Sequence, residues 1–160
     1  MAETLGSLID KLTIKDIREF HLCLMLSGKS SKFSKKELEG KLTILRRQKK
    51  GLKKEIDDFI ILANKAKISL KDEKLKLYNA PGDIGRIPQT KSLGEAISEL
   101  AQKNLELWHL EDEARRKDVE LNYIGRIKRK IDLTNQQRND FIDKIDELFE
   151  KKVIGCHKTA

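Results

Sequence analysis

The chain is poor in the residues that punctuate or crosslink a fold. Its 160 residues contain two cysteines, two prolines and eight aromatic rings, one of them tryptophan. The cysteines, Cys23 and Cys156, lie far apart. They give no disulfide framework and no paired metal-ligand spacing, which makes a reducing, cytoplasmic setting the expectation. Pro81 and Pro88 fall close together and leave long uninterrupted stretches on either side. No apolar run approaches the ~18 residues needed to span a bilayer, so no membrane partner is expected. The opening segment MAETLGSLIDK is amphipathic and carries acids, which a secretory signal does not. What is abundant is charge, at 38% of residues, the composition of long solvent-exposed helices. The length suits one domain over 1–160 with a real core.

A repeat organises the chain. Residues 93–110, LGEAISELAQKNLELWHL, echo residues 5–22, LGSLIDKLTIKDIREFHL. Identities or close matches fall at Leu5/Leu93, Gly6/Gly94, Ile9/Ile97, Leu12/Leu100, Lys15/Lys103, Phe20/Trp108, His21/His109 and Leu22/Leu110.

Residues 3–27 read as a first helix whose stripe is Leu5, Ile9, Leu12, Asp16, Phe20 and Cys23. Gly28 suits the position after its C-terminus. Ser34 and Glu37 then form a capping box, each side chain satisfying a free backbone N–H of the next helix. The second helix carries Leu38, Leu42, Leu45, Lys49, Leu52, Ile56 and Phe59 at alternating steps of four and three, a heptad seam. Its pattern continues less regularly to Leu77. The main break lies at 78–91, with Pro81, Gly82, Gly85 and Pro88. Ser92 and Glu95 predict a second capping box. The third helix has the stripe Leu93, Ile97, Leu100, Asn104, Trp108 and Glu111. Near Arg116 the pattern stops, and Asp118 is the expected N-cap of a fourth helix. That helix shows Ile124, Ile127, Ile131, Thr134, Arg138, Phe141, Ile145 and Leu148. The terminal GCHKTA is expected to fray.

The fold expected is all-α: a four-helix bundle built from two repeated antiparallel helical hairpins, repeat one at 3–77, a linker at 78–91 and repeat two at 92–153. Facing residues of an antiparallel hairpin keep a nearly constant sum of numbers. Pairing Ile9 with Ile56 puts Asp16 opposite Lys49 and Cys23 near Leu42. Pairing Ile97 with Ile145 puts Asn104 opposite Arg138 and Trp108 opposite Thr134. The polar interruptions of the stripes therefore coincide, and Asp16, Lys49, Asn104 and Arg138 form a structural polar layer. Such a layer fixes register at a cost in stability. The same groups also suit a pocket for a small polar or anionic ligand. Its residues would be Asn104, Trp108, His109, Glu111, Arg115, Asn135 and Arg138.

No complete catalytic constellation is present. Glu106 and His109 make the E-x-x-H spacing of di-iron bundles, yet the matching residue of the first copy is Arg18. Asp140, Asp143, Asp146, Glu147 and Glu150, with Asp112 and Glu113, offer magnesium-type carboxylate spacings. They fall mostly beside or opposite the seam and read as a solvated face. No metal site and no cofactor is expected. His21 shares a flank of the first helix with Ile14, Ile17 and Met25, a second apolar strip that needs its own partner, either another helix or a second subunit. His21 and His109 read as packing residues that hydrogen-bond a neighbour.

Positive charge is concentrated in residues 1–80, with nineteen Lys and Arg against eleven Asp and Glu; residues 81–160 hold fifteen of each. The densest run, Arg46 to Lys54, is a candidate nucleic-acid face. It reads more simply as a solvated face balanced by Glu55, Asp57 and Asp58, because no aromatic platform accompanies it.

The segment Asn104 to Arg115, NLELWHLEDEAR, followed by Ile131 to Asp140, IDLTNQQRND, resembles the bacterial domain-of-unknown-function family numbered four-two-five-four. The resemblance covers most of the second copy, and the first copy is a degenerate version of it. It implies signature positions at Trp108, His109, Glu111, Asp112, Arg115, Asn135, Gln136, Arg138, Asn139 and Asp140, and it implies no activity. In the first copy several of these become Cys23, Leu24, Arg46 and Lys49, which places any site in the second hairpin. The leading expectation is a non-enzymatic interaction or scaffold protein, with a protein partner or self as a homo-oligomer. The alternatives are a small-ligand-binding protein or enzyme, then nucleic-acid binding.

Overall fold

A computed structural model describes residues 3–28, 32–65, 68, 70, 90 and 92–158. They form four helices and no strand: α1 (Leu5–Ser27), α2 (Lys35–Asn64), α3 (Leu93–Ala114) and α4 (Leu121–Lys158). The architecture is the expected all-α four-helix bundle.

Local chemistry sets most of the ends. Thr4 caps α1, accepting from the Ser7 N–H while Ser7 Oγ accepts from the Thr4 N–H. Gly28 closes α1, donating to the Leu24 carbonyl at 3.0 Å from an extended conformation. The Ser34–Glu37 box stands as expected at the start of α2. Ser92 accepts from the Glu95 N–H at 3.1 Å.

Three boundaries differ from the sequence reading. The second helix ends at Asn64 rather than running on toward Leu77, and most of 66–91, including the expected break, lies outside the described residues. The fourth helix starts at Leu121, and Asp118 is not its cap. The Asp118 carboxylate is held instead by Arg116, at 3.1 and 2.7 Å, two residues back in the α3–α4 turn. That turn is closed by Tyr123, which donates to Glu113 at 2.8 Å. The terminal segment continues the last helix as far as Lys158.

α1 is the central helix, in contact with α2, α3 and α4, while α3 packs on α4. It runs antiparallel to α2, as shown by the contacts of Asp16 with Lys49 and Glu19 with Arg46. It also runs antiparallel to α4, with Gly6 against Asp146 and Asp10 against Arg138. Against α3 it is parallel, with Asp10 at Asn104 and His21 at Trp108.

The core common to all four helices sits at the end of the bundle where α1 begins. Leu5 and Leu8 meet Phe59 and Ala63 of α2, Ala96 and Leu100 of α3, and Phe141, Ile145 and Phe149 of α4. Complete burial of a large apolar side chain stabilises by roughly 1.5–3 kcal/mol, and Phe59, Phe141 and Ile145 are fully covered. Leu38, Leu42 and Leu45 of α2, and Ile127 and Ile131 of α4, are buried outside that cluster.

The α1 stripe is only partly realised. Its first half packs as expected, but Phe20 is 60% exposed and Cys23 is exposed. Near its N-terminus α1 is buried on more than one side, at Leu5, Gly6, Leu8 and Asp10. A helix with three neighbours covers more of its circumference than one stripe predicts. Gly6 is what lets α4 approach. A Cβ there would overlap the Ile142 carbonyl oxygen and lie 3.1 Å from Asp146 Oδ1. Gly94, at the matching position of α3, has open space around it, so the two glycines differ in packing.

Candidate functional site

The first hairpin brings Lys49 and Asp16 together. Lys49 reaches Asp16 and Glu19, each at 2.5 Å, and Arg46 meets Glu19 at 2.7 Å. Burial works against the Lys49 ammonium, but its hydrogen bonds to Asp16 and Glu19 outweigh that and raise its pKa. The Lys49 and Arg46 hydrogen bonds lower the Glu19 pKa.

In the second hairpin Asn104 and Arg138 face the same place, but they do not satisfy one another. Both bind Asp10, which the seam arithmetic did not include. Asn104 Nδ2 donates to Asp10 Oδ1 at 2.9 Å, and to Thr13 Oγ1 at 2.8 Å. Arg138 donates through Nε to the same Oδ1 at 2.8 Å, and through Nη2 to Oδ2. This bidentate geometry is the strong form of an arginine–carboxylate pair, and it raises the Arg138 pKa. Asp10 is 4% exposed and Asn104 5%. Asn104 and Arg138 do lie opposite one another, but Asp10 of α1 joins them, so the layer is an inter-hairpin joint. A signal for it existed. Asp10 lies four residues before Ile14 on the second strip of α1, the strip with Ile14, Ile17 and His21.

That strip faces α3. His21 stacks on Trp108, ring centroids 4.5 Å apart and planes 11° from parallel. Packing is by stacking rather than by the expected hydrogen bond: among the described residues, His21 Nε2 and Trp108 Nε1 are buried without a hydrogen-bond partner. His109, the repeat partner of His21, is exposed.

A cleft of about 300 Å³ opens beside this joint, between α1 on one side and α3 and α4 on the other. Asn104, Trp108, Glu111, Arg115 and Arg138, five of the seven residues proposed from sequence, line it. His109 and Asn135 do not. α1 supplies Ile14, Ile17 and Arg18 to the wall, and α3 adds Leu107. From the sequence Arg18 stands out as the residue that breaks the E-x-x-H spacing in the first copy.

Three arginines and one acid, Glu111, line the cleft together with apolar side chains. Arg115 holds Asp112 at 3.1 Å and Glu111 at 3.6 Å, all three well exposed, so these pairs are weak in water. Arg18 has no ion-pair partner among the described residues. A second cleft of about 340 Å³ adjoins the first and shares Arg18 and Trp108 with it. Its other walls are His21, Leu22 and Met25 of α1, with Lys41, Ile44, Leu45 and Gln48 of α2.

The carboxylates of α4 are not a uniform solvated face. Asp146 is 5% exposed and accepts from the Gly6 N–H at 2.7 Å, at the N-terminus of α1. Glu147 is held by Lys144 and Lys151. Among the described residues, no group of three or more His, Cys, Asp or Glu is placed to hold a metal ion, and no helix is long and apolar enough to cross a membrane. On α2, Arg46, Lys49, Lys50 and Lys53 surround Glu19 in a basic depression.

Comparison with curated proteins and with solved structures gives no match. Residues 94–160, the segment that contains Asn104, Trp108, Glu111, Arg115 and Arg138, match the family described as Protein of unknown function (DUF4254).

Proposed function

We propose that the protein binds a small organic anion in the cleft between α1 and the α3–α4 hairpin. The observation that carries this reading is the convergence of Arg18 of α1, Arg115 at the C-terminal cap of α3 and Arg138 of α4 on one apolar-walled cleft, with Arg18 lacking an ion-pair partner among the described residues. A cation beside low-dielectric walls attracts an anion more strongly than one in open water. Arg138 is already committed to Asp10 and holds the wall in place. Arg18 and the loosely paired Arg115 are the groups free to turn toward a carboxylate or phosphate.

Trp108, the single tryptophan of the chain, reports on the cleft directly. Titration with inorganic phosphate, pyrophosphate and short carboxylates at low salt should change its fluorescence saturably. A ligand at ~100 times its dissociation constant should also add about 2.7 kcal/mol to unfolding stability. Arg18→Gln should weaken binding at least tenfold. Silence of both signals across these anions would overturn the reading.

A second reading, self-association, is favoured by a different observation. Phe20 and Leu24 stand one turn apart on α1, 60% and 51% exposed. Light scattering should then show a dimer in the wild type and a monomer in Phe20→Ser/Leu24→Ser. A wild-type monomer across the micromolar range removes this reading.

A further inference from the structure

The two clefts are neighbours. They share Arg18 and Trp108, and their walls differ in kind. The first holds the three arginines, Asn104 and one acid, Glu111. The second is lined chiefly by Leu22, Met25, Ile44 and Leu45, and its wall includes the stacked His21–Trp108 pair. A small inorganic anion would fill the first and leave the second to water. That is a poor use of apolar wall, since Met25 and Ile44 are 42% and 51% exposed with nothing over them among the described residues. Together the clefts fall within the range of a small-molecule site, ~300–1,000 Å³.

We infer that the ligand is an amphiphilic monoanion, a free carboxylate carrying an unbranched apolar chain. Its head lies at Arg18 and Arg115, and its chain runs past the His21–Trp108 stack onto Leu22, Met25 and Ile44. This rests on the anion-binding reading above and extends it. Charge complementarity places the head: Arg18, without an ion-pair partner among the described residues, stands where the cationic and apolar halves meet. A carboxylate has acceptor capacity for more than one arginine, so Arg18 and Arg115 can share it. The chain is placed by the apolar wall, because burial of each methylene is favourable and needs no directional partner.

The test is a chain-length series of sodium n-alkanoates, from acetate to decanoate, below micelle-forming concentrations. Each is titrated against the full chain with Trp108 fluorescence as readout, and inorganic phosphate is run as a separate arm. Affinity should rise up to about fourfold per added methylene, until the second cleft is full. Ile44→Glu and Met25→Glu should flatten that dependence, while the added negative charge weakens every member of the series by a similar factor whatever its length. Both positions are exposed, so these variants should fold, as circular dichroism will verify. Arg18→Gln should weaken the whole series by a similar factor at every length. If phosphate and acetate bind and length makes no difference, the anion site stands and the amphiphile is wrong. A length dependence that survives Ile44→Glu and Met25→Glu unchanged also overturns it, since the chain then lies elsewhere. If neither phosphate nor any alkanoate binds, both readings fall.

Discussion

Asn104 and Arg138, from two different helices, donate to the same oxygen atom, Oδ1 of Asp10, at 2.9 and 2.8 Å. One buried carboxylate on α1 therefore ties the first hairpin to both helices of the second. It also stands behind the cleft wall, fixing the Arg138 guanidinium that the cleft presents. The joint joins architecture to the proposed site: what orients Arg138 is also what docks the hairpins.

Removing Asp10 should be costly. Asp10→Ala leaves the half-buried Arg138 without its counter-charge and deprives Asn104 of an acceptor. A loss of about 3–5 kcal/mol is expected for breaking a buried pair from one side. Asp10→Leu combined with Arg138→Leu should cost clearly less than the sum of the two single changes, with a coupling of roughly 0.5–3 kcal/mol. Urea denaturation of the four proteins measures this. Simple additivity would mean that the pair does not carry the joint.

The repeated glycines should behave differently. Gly6→Ala puts a methyl group into the Ile142 carbonyl oxygen, forcing α1 and α4 apart. A loss of roughly 1–3 kcal/mol is expected from such overpacking. Gly94→Ala meets nothing within 4 Å and replaces a poor helix former by the best one. It should be neutral or stabilising, by at most about 1 kcal/mol. Thermal melts of both variants decide the matter. Equal effects would mean that the two glycines pack alike after all.

Asp146 should matter through α1 rather than through any ligand. Its carboxylate accepts from the Gly6 N–H inside the core end of the bundle. Asp146→Ala orphans that donor, at a cost of about 1–3 kcal/mol. Asp146→Asn keeps an acceptor and loses the charge that favours a helix N-terminus, so its cost should be smaller. An Asn variant as damaged as the Ala variant would show that charge, not the hydrogen bond, is the main contribution.

The pH dependence of stability should carry a signature of the Glu19 cluster. Hydrogen bonds from Lys49 and then Arg46 lower the Glu19 pKa below its ordinary 4.5 in the folded protein. Its contribution is thus complete above pH 4.5 and is lost as pH falls through the lower folded value. Lys49 is shifted the other way, upward from 10.5, with burial opposing and Asp16 and Glu19 prevailing. Its contribution is complete below pH 10.5 and is lost as pH rises through the higher folded value. Glu19→Gln should therefore destabilise at pH 7 and lose that effect on acidification toward pH 3. An effect of constant size across that range would sink the assignment.

Much of the fold was legible because its signals are local. The α2 stripe from Leu38 to Phe59 is realised, with its apolar members buried or half-buried and Lys49 among them. Ser34 and Glu37 sit three residues apart, so their capping box needs nothing distant. The Asp16–Lys49 pair followed from antiparallel arithmetic because a short loop leaves adjacent helices little freedom of register. Asp118 misled because a cap candidate has competitors: Arg116, two residues away, takes its carboxylate. Five of the seven proposed ligand residues line the cleft because α3 and α4 face α1 with the side that also forms their own seam.

By itself, then, the sequence determined the four helices, the caps at Ser34 and Ser92 and the pairing within the first hairpin, all products of short-range periodicity and chain connectivity. Only the tertiary structure decided how one hairpin meets the other. That docking uses the second face of α1, where Gly6 admits the α4 backbone, Asp10 captures Asn104 and Arg138, and Arg18 enters the cleft. Helical periodicity can say that such a face needs a partner. It cannot say which of two distant helices will supply it, because that choice depends on packing and charge satisfaction between residues more than ninety positions apart.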